Sequence, residues 1–253
     1  MRHIISYSGG IGSFSAAMRV ADQYGTENMV LLFADTKIED DDLYRFLDET
    51  AAHIGIPLTI IAEGRDPWQV MNDVRYIANS RVDPCSKILK RDFLNKWRDK
   101  NCTTDDVFYI GIDWSEVHRL ERLQARVAPW TYKAPMCDAP YLSKSEMIAA
   151  LPAHIAPPRL YSLGFPHNNC GGFCVKAGQA QFALLLRTFP ERYLLHEEAE
   201  EKLREKIGDH SIMKDRRGGT PAPLTMRDFR KRIQRQGDLF DPDEWGGCGC
   251  AVD

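Results

Sequence analysis

From Met29 to Ala34 the chain reads MVLLFA, an apolar run bounded by the polar Glu27-Asn28 and Asp35-Thr36. A strand with no polar alternation is covered on both faces, which is the condition of a parallel sheet with helices above and below. The neighbouring segments extend that pattern. His3 to Tyr7 is a β-branched run that stops at Ser8-Gly9-Gly10, and Phe14, Ala17, Met18 and Ala21 follow at helical spacing. Asp40 to Ile54 reads as a helix with Leu43, Phe46, Leu47 and Ile54 inward; Pro57–Ala62 and Val107–Ile112 read as further strands, separated by a polar helical stretch from Ser86 to Lys100. The expected fold is therefore α/β, a doubly wound parallel sheet, with ligands beyond the carboxyl ends of the strands. Ser8, Asp35 and Gly111–Asp113 all fall on that rim.

Past the Pro157-Pro158 break the character changes. A Ser143…Glu146 capping box starts a helix before it; after it come the polar turn His167-Asn168-Asn169-Cys170-Gly171-Gly172-Phe173-Cys174 and helices near 175–187 and 191–207. This divides the chain into a nucleotide-binding domain over 1–160 and a small, helical, cysteine-containing extension over 161–253. The net charge of −3 excludes a global attraction for nucleic acid, so a basic surface has to be local. No run approaches the ~20 apolar residues of a membrane span, and the N-terminus lacks a leader's apolar core. A cytoplasmic protein without membrane contact is expected.

Ser8-Gly9-Gly10-Ile11-Gly12-Ser13 sets three glycines and two hydroxyls between a strand and a helix. Successive amides of such a turn face an anion, and the helix terminus adds a favourable field. The lysine of the GxxxxGK[ST] loop is absent. The segment resembles the PP-loop of the ATP pyrophosphatase and phosphoadenosine phosphosulfate (PAPS) reductase superfamily. Asp35-Thr36 is similar to that family's Asp-Thr turn, Pro84-Cys85-Ser86-x-x-x-Lys90 to its Cys-Cys-x-x-x-Lys segment with Ser86 for the second cysteine, and Gly111-x-x-x-x-Glu116-x-x-Arg119 to its Gly-x-Arg-x-x-Glu-x-x-x-Arg stretch. The motifs cover residues 1–150 in order. ATP-cleaving members carry an acidic residue where this chain has Gly12, and sulfonucleotide reductases lack it.

The resemblance implies that Ser8, Gly9, Gly10, Gly12 and Ser13 bind phosphate, that the β-strand end at Asp35 positions the nucleoside, and that Lys90 and Arg119 neutralise further phosphate or sulfate. The ligand is ATP, with Mg2+, or PAPS or adenosine phosphosulfate as substrate. The acidic run Glu39–Asp42 is a candidate metal site, or a helix N-terminus favoured by negative charge. Lys87, Lys90 and Arg91 share a helical face, and Arg122 and Arg126 read as a solvated one.

The 7 cysteines are unevenly placed. Cys170 and Cys174 sit in a turn without an apolar pocket, and Cys248 and Cys250 close the chain. In a reducing compartment such clustering points to metal, cluster or redox chemistry. Cys85, Cys170, Cys174 and Cys248 are candidate ligands of a 4Fe–4S cluster or of zinc, with Cys250, Cys137 and His167 as further donors. Cys170, Cys174, Cys248 and Cys250 are also candidate catalytic thiols. Three functions fit: adenylation of an acceptor (tRNA, DNA or a small molecule) for sulfur transfer from a donor protein; reduction of a sulfonucleotide by a terminal thiolate; or nucleotide binding without catalysis. The basic segment Arg227, Arg230, Lys231, Arg232 and Arg235 fits a surface helix better than a nucleic-acid site.

Overall fold

The computed structural model describes residues 1–217 and 219–236. Its centre is a parallel five-stranded sheet of order β3-β2-β1-β4-β5, formed by β1 (His3–Ser6), β2 (Met29–Asp35), β3 (Leu58–Ala62), β4 (Val107–Tyr109) and β5 (Thr131–Lys133). In register, Ile5 lies opposite Leu31 on one side and Tyr109 on the other. Alternate residues of β1 serve opposite faces. Ile5 joins Leu31, Phe33 and the inner faces of α1 (Ile11–Tyr24) and α2 (Asp41–Ile54), with Met147 of α7 (Lys144–Ala149). Ile4 joins Leu32 and Phe108 against Leu94 and Trp97 of α5 (Phe93–Asn101) and against Trp130. The doubly wound arrangement expected from the apolar strands is present, and both faces of MVLLFA are covered.

Helix starts follow local chemistry. Asp40 caps α2 by accepting from the Asp42 amide at 3.0 Å, and the Ser143–Glu146 capping box opens α7. The segment expected as one helix from Ser86 to Lys100 is broken: α4 (Pro84–Ser86) passes into a π-helical turn, Lys87–Asp92, before α5. A π turn rotates the residues after it out of the α-helical phase. Lys87, Lys90 and Arg91 therefore do not act as one face. Lys87 pairs outward with Asp92 at 2.5 Å and Arg91 with Asp83 at 3.2 Å, while Lys90 alone of the three lines the large cavity at the carboxyl ends of the strands.

A second core joins the segment around α3 (Pro67–Asp73) to the C-terminal elements: Val70, Met71, Ile77, Cys85 and Leu89 pack with Leu160 of α8 (Arg159–Ser162), Phe182 of α9 (Gln179–Thr188), Tyr193 and Leu203 of α10 (Pro190–Ile207), and Phe229 of α11 (Met226–Gln236). The basic segment is α11, and its arginines face acidic partners: Arg230 and Arg227 meet Glu197, and Arg232 meets Asp215. These ion pairs fit the surface-helix reading.

Glu200 of α10 is fully buried and accepts from the amides of Ile212 and Met226 at 3.0 and 2.6 Å, fastening the antiparallel hairpin β6 (Met213–Asp215) and β7 (Ala222–Leu224) and the start of α11. Burial, the largest effect, pushes its carboxyl up to about 7, above the ordinary 4.5, against the two amide bonds. An acid raised in the folded state binds more protons there than when unfolded, so its contribution to stability is complete below the unfolded value and is lost as pH rises through the folded one. Wild type is therefore expected to lose on the order of 3 kcal/mol more stability than Glu200→Gln between pH 4.5 and 8. Denaturant titrations at the two pH values check this; equal losses in the two proteins would refute it.

Candidate functional site

The strand order reverses at β1, and a crevice opens there between the carboxyl ends of β1 and β4. A cavity of about 190 Å³ lies in it. Ser8, Gly10, Gly12 and Ser13 form part of its wall together with Gly111, Asp113, Glu116 and Arg119, and with Lys90 from the π turn. Of the residues expected to hold a nucleotide, these include both hydroxyls and both cations. Gly9 stands behind the wall, with its carbonyl accepting from Asn168 Nδ2 at 2.9 Å. Ser13 Oγ donates to the Gly10 carbonyl at 2.8 Å, tightening the first turn of α1.

Gly12 has a steric reason that the motif resemblance does not supply. A Cβ built on Gly12 would lie 2.5 Å from the Gly111 carbonyl oxygen, and one on Gly111 would lie 2.5 Å from the Ser13 amide nitrogen. The glycine-rich loop and the segment just after β4 meet backbone to backbone. No side chain fits at either position without separating them.

Asp35 does not line this cavity, although Phe33 and Ala34 beside it do. Its carboxylate accepts from the Lys37 amide and the Tyr44 hydroxyl, each at 2.8 Å, and pairs with Lys37 Nζ at 3.0 Å. Burial pushes its carboxyl up, but these bonds outweigh burial and hold it below the usual range. Asp35 thus shapes the turn after β2, with Lys37 at φ 61°. The acidic run beyond that turn is likewise spoken for. Asp40 is held by Arg159 and Arg192 at 2.7 and 2.9 Å, and Asp42 by Arg45 at 2.6 Å. The run caps and pairs, as the helix-terminus alternative anticipates.

Further lining of the cavity comes from the chain's second half, at residues that are in none of the motifs. Lys144, Tyr161, His167, Asn168 and Asn169 line it. Tyr161 Oη accepts from the Ile11 amide at 3.3 Å, and Lys144 Nζ donates to the Pro166 carbonyl at 2.5 Å. The only sequence signal for this wall is the polar His167-Asn168-Asn169 turn. Arg122 and Arg126 lie exposed, donating to backbone carbonyls one turn back, as a solvated face does.

A smaller cavity adjoins the first. Cys85, Cys170 and Cys174 all line it, with Thr36, Phe173 and Lys90, and Lys90 is common to both cavities. Cys85 is thus brought to the same place as Cys170 and Cys174, which lie far beyond it in the sequence. Cys170 has φ 51°, and Gly171 and Gly172 come next at φ 57° and 86°. For a non-glycine residue that conformation costs about 1–2 kcal/mol, and the Cys170 amide is held there by donating to Glu39 Oε2. Burial pushes the Cys85 thiol up to about 11, so it stays protonated at neutral pH and is a poor nucleophile.

Of the four cysteines expected as ligands of an iron–sulfur cluster or zinc, Cys85, Cys170 and Cys174 lie in the described residues. Among the described residues no group of three or more His, Cys, Asp or Glu side chains is arranged to hold a metal ion. His167 lines the larger cavity while the three cysteines line the smaller. Cys137 donates toward the carbonyls of Ile112 and Asp113, at 3.6 and 3.4 Å, and burial pushes its thiol up to about 11. It fastens the end of β4. Cys248 and Cys250 lie outside the described residues. Among the described residues no helix is long and apolar enough to cross a membrane.

No protein-family model and no curated protein matches this chain. Among solved structures, it is similar to the NH3-dependent NAD synthetase from Campylobacter jejuni in complex with the nitrate ion, at 14% identity and a TM-score of 0.37, with 95% of this chain and 88% of that one covered.

Proposed function

We propose that this chain is a PP-loop enzyme of the PAPS-reductase-like kind that binds ATP in the larger cavity and adenylates an acceptor for sulfur transfer. One observation carries the reading: the glycine-rich loop lines one cavity with Lys90 and Arg119 at the strand-order reversal, and Lys90 also borders the cavity where three cysteines meet. Ser8, Gly10, Gly12, Ser13 and the amides at the start of α1 surround the phosphates, and the end of β2 at Phe33 and Ala34 takes the nucleoside. An acceptor oxygen attacks the α-phosphorus and pyrophosphate leaves, so that the acceptor carries AMP. A sulfur nucleophile then attacks the activated carbon, the C–O bond breaks, and AMP departs. The protein's part is positioning and charge: loop amides and the two cations offset charge growing on the phosphate oxygens.

One of Cys170 and Cys174 attacks the outer sulfur of a donor protein's persulfide, freeing the donor thiol, and presents that sulfur as its own persulfide to the activated carbon. The other then attacks the inner sulfur, breaking the S–S bond to release the thiolated product and leave a Cys170–Cys174 disulfide that an external thiol reductant reopens, while Cys85, protonated, walls the cavity. The acceptor is a nucleic acid, tRNA or DNA, or a small molecule with an activatable oxygen.

Side-by-side calorimetry with ATP and with PAPS tests the assignment. Tighter binding of ATP, with Cys170→Ser and Cys174→Ser each retaining that affinity within about threefold, is expected, since neither thiol lines the nucleotide cavity. Selective PAPS binding would move the protein to sulfonucleotide reduction, the reading that Gly12 favours, and would put Cys248 and Cys250 first. Absence of binding to either would defeat the nucleotide reading.

A further inference from the structure

Glu39 belongs to the acidic run that the motifs left without a role, and its side chain is only 1% exposed. Its two oxygens contact residues that line the two cavities. Oε1 accepts from Thr36 Oγ1 at 2.8 Å and lies 3.4 Å from Lys90 Nζ; Oε2 accepts from the Cys170 amide. Lys90 lines the larger and the smaller cavity, whereas Thr36 and Cys170 line only the smaller. One buried carboxylate thus joins the cation on the phosphate side to the backbone of a cysteine held at positive φ.

We propose that Glu39 couples the two cavities, so that a nucleotide in the larger one changes the reactivity of Cys170 in the smaller. The inference rests on the nucleotide reading and adds to it a regulation of the thiol site. Phosphate oxygens compete with Glu39 for the Lys90 ammonium. A buried carboxylate that loses part of its cation carries more uncompensated charge, and its attraction for the Cys170 amide strengthens. Held more firmly at its positive φ, Cys170 is less able to turn its side chain toward an attacking reagent, so nucleotide binding quiets it and departure of the nucleotide restores it. Glu39 is a positioning residue, acting through Lys90 and the Cys170 backbone rather than on substrate.

The test is the rate of iodoacetamide alkylation at Cys170, resolved by peptide mass spectrometry on the anaerobically purified full chain, with and without saturating ATP. Calorimetry on the same preparation reports binding. In wild type ATP is expected to slow Cys170 alkylation by about fivefold or more, the lower end of ordinary coupling between sites. Cys102, which lies at the far end of α5, serves as the unresponsive control. Glu39→Gln, still binding ATP, is expected to lose the response, and Glu39→Asp to recover part of it. Simple shielding of Cys170 by bound nucleotide would persist in Glu39→Gln, and that result would overturn the proposal. So would ATP binding to wild type without any change at Cys170, a comparison that needs no variant to fold. If ATP does not bind at all, the nucleotide reading fails and the coupling with it.

Discussion

Gly12→Asp, which writes in the carboxylate found in ATP-cleaving members of the family that this chain resembles, is expected to destabilise the protein and abolish nucleotide binding rather than confer faster cleavage. The obstacle is backbone, not a side chain that can turn away: the new Cβ would meet the Gly111 carbonyl oxygen at 2.5 Å. Relief requires α1 to move off the end of β4, and both carry cavity walls. Overpacking of this kind costs about 1–3 kcal/mol or more, and the carboxylate would sit among amides and cations arranged for phosphate. Gly12→Ala separates the two effects, because it brings the steric cost without the charge. It is expected to lower the melting temperature by several degrees, about 2–4 °C per kcal/mol at this chain length, with ATP affinity falling in parallel. Gly111→Ala strikes the same contact from the other side. The double variant is therefore expected to lose less than the sum of the two. Thermal scans with calorimetry decide it; a Gly12→Asp protein as stable as wild type and faster in ATP cleavage would show that the loop and β4 part easily.

That expectation also marks where sequence reading ends. The glycine at position 12 is visible in the chain as a departure from a motif, and the motif invites a chemical explanation, a lost carboxylate. Its steric cause depends on Gly111, almost a hundred residues on, and on the β1–β4 pairing that places the two together. Local chemistry read well. Apolar strands, the Ser143–Glu146 cap and the Asp40 cap depend on neighbours in sequence, and each is found. Lys90 and Arg119 were legible because they sit in ordered motifs next to strand ends. Features that depend on tertiary assembly were not legible. The π turn that sends Lys90 inward and Lys87 outward is invisible to a helical wheel. The packing of Val70, Ile77 and Leu89 with the C-terminal helices, rather than on the sheet, has no periodic signature. Glu39 was hidden among adjacent acids that all look like a helix terminus, and what sets it apart is its contact with Lys90 and the Cys170 amide.

Lys90→Met is expected to cost both nucleotide affinity and stability, and the two losses can be pulled apart. Methionine keeps much of the lysine stem and removes the ammonium, so the cavity loses a cation with little change of shape. If Lys90 meets phosphate, affinity for ATP falls by about 2–4 kcal/mol, thirtyfold to a thousandfold, as when one member of a desolvated charge pair is removed. The stability loss has a different origin. Glu39, 1% exposed and 3.4 Å from the ammonium, is left buried without that cation, a change that typically costs about 3–5 kcal/mol. Discounting for the length of the contact and for the bonds from Thr36 and Cys170 that remain, the lower part of that range is expected. Adding Glu39→Gln to Lys90→Met removes the orphaned charge, so the double variant should regain most of the stability. It should regain none of the affinity, because the lost ammonium is what the phosphate requires. Chemical denaturation and calorimetry on the two single variants and the double one complete the cycle. Recovery of ATP binding in the double variant would mean that Lys90 only holds Glu39 in place and takes no part in binding phosphate.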